Sequence, residues 1–339
     1  MPPLLIDAHG HYTTVPAGLR VFRALQISQM GKPSKRAVKI SDEEIRASLE
    51  KGQLKLMDER SIDVMLISPM ASAMGHHFGS ALISRHWTEV NNELIHRVCT
   101  LYPTRFVGVC SLPQSPGVAP GGCVEELERC VTEFGFVGCN LNPDPSGGYW
   151  TDPPLGDEWW YPLYEKLQAL DVPAMIHASA TCNPSFHTVG SHYLNVDSTA
   201  FLQLMESRVF RDFPKLRFIL AHGGGNIPYQ AARYRALGII HEWEAFDDFV
   251  KHFHWDTTVY SREAMELLIK VVGVDNVIYA SEMLGGVNAT DPATGRSFDD
   301  NKPLVDAVPW LTALDRKKIF EENVRTVYPR LVANRSVRL

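Results

Sequence analysis

Short apolar runs recur along the chain at wide intervals. They are Leu4–Ala8, Val64–Ser68, Phe106–Cys110, Val137–Leu141, Ala174–His177, Phe218–Ala221, Phe253–Asp256 and Val277–Ala280. Each is too short for a buried helix and nearly continuous in its hydrophobicity, the pattern of a strand covered on both faces in a parallel sheet. Amphipathic stretches lie between them. Ser41-Asp42-Glu43-Glu44 reads as a capping box opening a helix whose Ile45, Leu49 and Leu56 share a face. Val124–Phe134 places Leu127 and Val131 for burial, with Gly135 as its stop. Eight strands alternating with helices predict a (β/α)8 TIM barrel more readily than an open sheet. No linker divides the chain, so residues 1–339 are expected to form one domain.

Three connections exceed an ordinary loop: Tyr12–Ile40, Asn142–Gly148 and Gly285–Asp300. Each follows a strand, which puts all three on the C-terminal face, where long ordered loops act as lids or specificity elements.

Composition narrows the function. The 339 residues carry a net charge of -6, which excludes nucleic acid as the main partner, since binding phosphates needs a basic field. Local basic character between Arg20 and Lys39 is expected to be a solvated loop or an interface. The six cysteines show no CxxC spacing, and several sit in apolar runs, so free thiols in the cytosol are expected rather than a disulfide framework. No signal peptide and no run of about 18 apolar residues is visible, so neither secretion nor a membrane span is expected.

The chemistry lies at the strand ends. His9 and His11 end the first run, His177 the fifth, His222 the sixth, and Glu282 follows the last. Alternate residues of a strand share a face, and a parallel barrel gathers its strand ends into one ring. Three imidazoles (His9, His11, His177) with the Glu282 carboxylate suit zinc, with manganese or iron as alternatives. His222 heads a His-Gly-Gly-Gly run and fits general acid/base work. Arg233 is the first candidate for pinning a substrate carboxylate, with Arg235, Asn195 and the His76–His77 pair behind it. Paired loop histidines are more often solvated. No motif for an organic cofactor is present.

Asp7-Ala8-His9-Gly10-His11, Met175-Ile176-His177, Ala221-His222-Gly223-Gly224 and the acid after the last strand resemble the amidohydrolase superfamily. The likeness is to the branch related to aminocarboxymuconate-semialdehyde decarboxylase. Leu112-Pro113-Gln114-Ser115-Pro116, Gly138–Pro145 and Ser281-Glu282-Met283 are similar to the hydratases of that branch, and the likeness runs nearly end to end. Most of the superfamily has aspartate at the position of Glu282, whereas the hydratases imply glutamate at the zinc. The resemblance thus implies a hydro-lyase of aromatic-acid catabolism, adding water to a C=C bond of an unsaturated oxo-polycarboxylate, in a homo-oligomer. The alternative it leaves is nonoxidative decarboxylation of a hydroxybenzoate-type or unsaturated acid. The family also implies an arginine in the loop after the second strand, where this chain has Met70.

Overall fold

In the computed structural model, residues 4–29 and 38–333 are described. Nine strands lie among them: β1 (Ile6–Tyr12), β2 (Val64–Pro69), β3 (Phe106–Gly108), β4 (Cys110–Ser111), β5 (Cys139–Leu141), β6 (Ala174–Ile176), β7 (Phe218–Leu220), β8 (Phe253–Asp256) and β9 (Val277–Ile278). Every pairing is parallel, in the orders β1-β2-β3 and β4 through β9. The strands β3 and β4 are one barrel strand interrupted at Val109. Its N–H donates to Ile67 O at 2.9 Å, while the next N–H, of Cys110, donates across the other edge to Gly138 O at 3.0 Å. The ring closes where Ala8 N donates to Tyr279 O and Glu282 N donates to His9 O, both at 2.9 Å. The result is an eight-position TIM barrel, as the apolar spacing predicts.

Side-chain alternation sorts the strand residues into two cores. Ile6, Ala8, Val64, Leu66, Val107, Val109, Val137, Met175, Ile219, Ala221 and Ile278 fill the interior, closed at one end by Val324, Val327, Tyr328 and Leu331 of the C-terminal helices. The intervening residues, among them Met65, Ile67, Leu141, Ile176, Leu220 and Trp255, pack outward against the helical layer. These are bulky apolar side chains on both faces, which is why the strands read as continuous hydrophobic runs.

The helices depart from expectation in detail. Ser41 does cap a helix, with the reciprocal Glu44 bond in place, but it stops at Gly52 and a second one, Gln53–Glu59, carries Leu56. The predicted Val124–Phe134 helix starts three residues early, running Gly121–Thr132. The stretch expected as a long loop after Tyr12 holds the helix Ala17–Ser28; part of its basic segment and the chain beyond Ala333 lie outside the described residues. The Asn142–Gly148 turn is buried throughout, as a plug tied to Asp144. That carboxylate accepts from the backbone N–H groups of Ser146, Gly148 and Trp150 at 3.1, 2.5 and 3.2 Å.

Candidate active site and metal centre

The first two histidines reach the barrel mouth through a defect in β1. Ile6 and Ala8 already point inward, so strict alternation would turn His9 and His11 outward. The β1–β2 register slips between Asp7 and Gly10, setting an extra residue opposite Leu66. One extra residue flips the facing of all that follows. His11 therefore shares the inner face with its partner Ser68. Gly10 makes the bulge possible: a Cβ there would lie 2.5 Å from the Met65 side chain and 2.9 Å from Leu66 O.

His177 follows Met175 by two residues and needs no such device. His222 does need one, whereas Glu282, four residues beyond inward-facing Ile278, is in phase. Alternation after Ala221 would turn His222 outward, but both residues adopt left-handed backbone, with φ of 50° and 49°. Such a conformation costs a non-glycine residue about 1–3 kcal/mol and persists only where the surroundings over-determine it. At Glu282 those surroundings are visible. Ser281 donates through N and Oγ to Asp7 at 3.0 and 2.5 Å, and Leu284 N donates to Asp299 Oδ2 at 3.0 Å. Asp299 is in turn held by Arg60 in a buried ion pair at 2.7 Å.

Four buried residues, His9, His11, His177 and Glu282, offer one donor atom each, all within 4.8 Å of one another. The Nε2 atoms of His9 and His11 are 3.0 Å apart, and those of His11 and His177 3.3 Å. Each Nδ1 faces a partner: Asp256 Oδ2 at 2.7 Å for His9, Ser68 Oγ at 2.8 Å for His11, Ala178 O at 2.8 Å for His177. A carboxylate and a carbonyl can only accept, so His9 and His177 carry their protons on Nδ1 and turn Nε2 lone pairs to the centre. Burial first, then the neighbouring imidazoles, holds His11 well below the usual histidine range, and burial pushes His177 down to about 4. Burial works against the Glu282 carboxylate, but the surrounding imidazoles, His222 foremost, outweigh it and hold its pKa well below the usual carboxylate range. Neutral imidazoles and one carboxylate are the donor set of a divalent cation site, and the residues fit one.

Beside this cluster stands His222. Its Nδ1 meets Asp197 Oδ2 at 2.9 Å, and its ring stacks on Tyr193 with centroids 5.2 Å apart. Its Nε2 is buried without a partner and lies 3.8 Å from Glu282 Oε2. Burial disfavours the imidazolium, yet Asp197 outweighs it and raises the pKa to about 9. Asp256 ties the two halves together. One oxygen takes the His9 bond, and the other accepts from Gly223 N at 2.9 Å, next to His222.

Sequence reasoning missed Asp197, Asp256, Tyr193 and Tyr260. Asp256 left a trace, an acid ending an apolar strand; Asp197 sits on the helix Tyr193–Met205, where spacing says nothing about a partner 25 residues away.

The residues expected to contact substrate are placed differently. Arg233 is exposed and donates only a long 3.4 Å bond to Gln230, and Arg235 pairs with Asp247 at 2.7 Å. Asn195 is exposed and accepts from Thr199 at 3.1 Å. None of the three joins the buried cluster of this chain. His76, expected to be solvated, is 4% exposed. His77 is half-buried, near Gly147 and Cys182 of the loops after β5 and β6. On the Met70 loop the nearby guanidinium is that of Arg23, which donates to Met74 O and Gly75 O at 3.0 and 3.2 Å. The cysteines are all free thiols, four of them buried.

Comparison with known proteins agrees with this architecture. The chain is 45% identical over 338 residues, 99% of each chain, to the 2-keto-4-carboxy-3-hexenedioate hydratase of Sphingobium sp. (strain NBRC 103272 / SYK-6). The crystal structure of 4-oxalomesaconate hydratase from Rhodopseudomonas palustris superposes with a TM-score of 0.90 at 45% identity, covering 97% of both chains. The gamma-resorcylate decarboxylase of Polaromonas sp. (strain JS666 / ATCC BAA-500) is 34% identical, over 53% of this chain and 57% of its own. The amidohydrolase family model (Amidohydro_2) matches residues 6–330, and the chain belongs to that family.

Proposed function

We propose that this enzyme is a metal-dependent hydratase, a hydro-lyase adding water to the carbon–carbon double bond of 4-oxalomesaconate or a close unsaturated oxo-polycarboxylate in aromatic-acid catabolism. The observation that carries the reading is the pairing of a His9/His11/His177/Glu282 donor set with an independent proton donor, His222, whose free Nε2 stands 3.8 Å from Glu282. The 45% identity to hydratases over nearly the whole chain supports the same reaction, against 34% identity over about half of it to a decarboxylase.

His9, His11 and His177, with Glu282, would hold the ion, for which zinc is the first choice and manganese or iron the alternatives. A bound divalent cation supplies Lewis acidity, polarising an oxo group and making water a nucleophile near neutral pH. The residues do the rest. Glu282, ionised, accepts the proton lost by the attacking water. His222, protonated at neutral pH, donates its Nε2 proton to the carbon next to the one that takes the hydroxyl. The 3.8 Å between Glu282 Oε2 and His222 Nε2 then lets the proton gained by one return to the other. One water is consumed and both residues end as they began.

Substrate carboxylates need cationic or donor partners. His77 is the expected contact best placed, among loops that all follow barrel strands. Arg233 and Asn195 are the other proposed contacts, and we read the enzyme as a homo-oligomer. No helix among the described residues is long and apolar enough to cross a membrane, and the free thiols suit a cytoplasmic enzyme. We read residues 1–339 as one catalytic domain.

Incubation with 4-oxalomesaconate tests the proposal. Loss of its conjugated absorbance without release of carbon dioxide is expected; stoichiometric carbon dioxide would assign the enzyme to the decarboxylases instead.

A further inference from the structure

Glu282 faces two ways. Its Oε1 lies 3.9 Å from His177 Nε2, on the side of the metal cluster, and its Oε2 lies 3.8 Å from His222 Nε2. A flexible carboxylate at the edge of a cation site has an obvious competing arrangement, with both oxygens on the ion. Something must hold the second oxygen away from it. The one hydroxyl that reaches this oxygen, among the described residues, is that of Tyr260, which donates to Oε2 at 2.9 Å.

Tyr260 is built for that contact. It belongs to the loop directly after β8, four residues beyond Asp256, and its backbone is left-handed, with φ of 59°. A large residue pays for that conformation only when its side chain is needed in one direction. In the loops that follow β7, β8 and β9 on this face the left-handed non-glycine residues are His222, Tyr260, Glu282 and Leu284. The first and third carry the proposed chemistry, and the fourth closes the Glu282 turn. Tyr260 is the member of the set without a role in the mechanism above.

We propose that Tyr260 is a positioning residue that keeps Glu282 split, one oxygen toward the metal cluster and the other toward His222. The inference rests on the hydratase reading for its catalytic consequence, but its effect on the carboxylate does not depend on the substrate. A phenol donating to Oε2 leaves that oxygen a second lone pair for a proton, so the contact orients the base without blocking it. Without the hydroxyl, Oε2 is free to turn onto the ion, where it binds metal well and water-derived protons badly.

Tyr260→Phe keeps the ring and deletes the donor. Expected are a full complement of zinc, zinc affinity equal or several-fold tighter in chelator competition, and a kcat lower by about 10–100-fold with KM nearly unchanged. Combined with Glu282→Gln, Tyr260→Phe should cost little more, because a residue acting through another loses its effect when that other is removed. A merely structural tyrosine would give additive losses and weaker zinc binding. The proposal is overturned by a Tyr260→Phe enzyme of normal kcat, by additive losses in the double variant, or by weakened zinc affinity. Should the protein take up zinc but hydrate none of the substrates tried, the affinity comparison still decides the role of Tyr260. Tyr260→Leu, an apolar side chain with no hydrogen-bond donor, must repeat the Phe result if Tyr260→Phe proves unstable.

Discussion

Asp197 lies on a helix rather than on a barrel strand, and its carboxylate holds a proton on His222. Burial alone would leave that imidazole neutral; the 2.9 Å pair lifts its pKa from 6.5 to about 9. A group whose folded pKa is raised contributes stability that is complete below the unfolded value and fades as the pH climbs through the folded one. In the proposed mechanism the same titration removes the proton that the reaction needs. Hydratase activity is therefore expected to fall on an alkaline limb near pH 9, and Asp197→Asn to move that limb toward 6.5 while lowering kcat. A limb that stays put in Asp197→Asn would show that His222 does not donate the proton. Glu282→Gln keeps shape and one ligand oxygen but cannot accept a proton. It should retain most of the metal while kcat falls by about 10²–10⁴-fold, the span usual for a general acid/base group. Near-normal turnover would reduce Glu282 to a ligand.

The elements explain why some of the site was legible in the sequence and some was not. His9, His11, His177 and Glu282 stand at the ends of apolar runs, and strand ends in a parallel barrel meet; that much follows from spacing. The means by which His9 and His11 face inward did not. Alternation counted from Ile6 and Ala8 gives the wrong face, and only the register slip near Gly10 restores it. Likewise the Asn142–Gly148 segment, rich in turn residues, reads as a surface loop but is buried around Asp144, because side-chain to backbone bonds satisfy it from within. The Glu282 turn carries its own test. A methyl group on Gly285 would sit 2.7 Å from Glu282 O and 3.2 Å from its Cδ. Gly285→Ala should displace the carboxylate, lowering both metal affinity and kcat by at least about tenfold with little change in melting temperature. Unchanged metal affinity would mean that the turn has slack the packing does not show.

At the scale of the molecule, the barrel has two functional ends. One is closed by Val324, Val327, Tyr328 and Leu331 and serves stability; the other gathers the histidines. Fold and family were legible because hydrophobic periodicity and the histidine motifs act along the whole chain. Substrate contacts were not: Arg233 and Asn195 are exposed in the single chain, and nothing in local spacing tells which surface meets substrate. Metal content probes the assembled site. Protein purified without added metal should carry about one divalent ion per chain, and His11→Ala should lose ion and activity together. Metal-free wild-type protein of full activity, unaffected by chelators, would remove the basis of the mechanism.

Reaction with 4-oxalomesaconate in ¹⁸O-enriched water, followed by mass spectrometry of the product and headspace, bears on hydration itself. The mechanism requires a product heavier by one water and carrying one heavy oxygen on carbon, with no carbon dioxide released. A product that has lost carbon dioxide, or a substrate recovered without the added water, would contradict it.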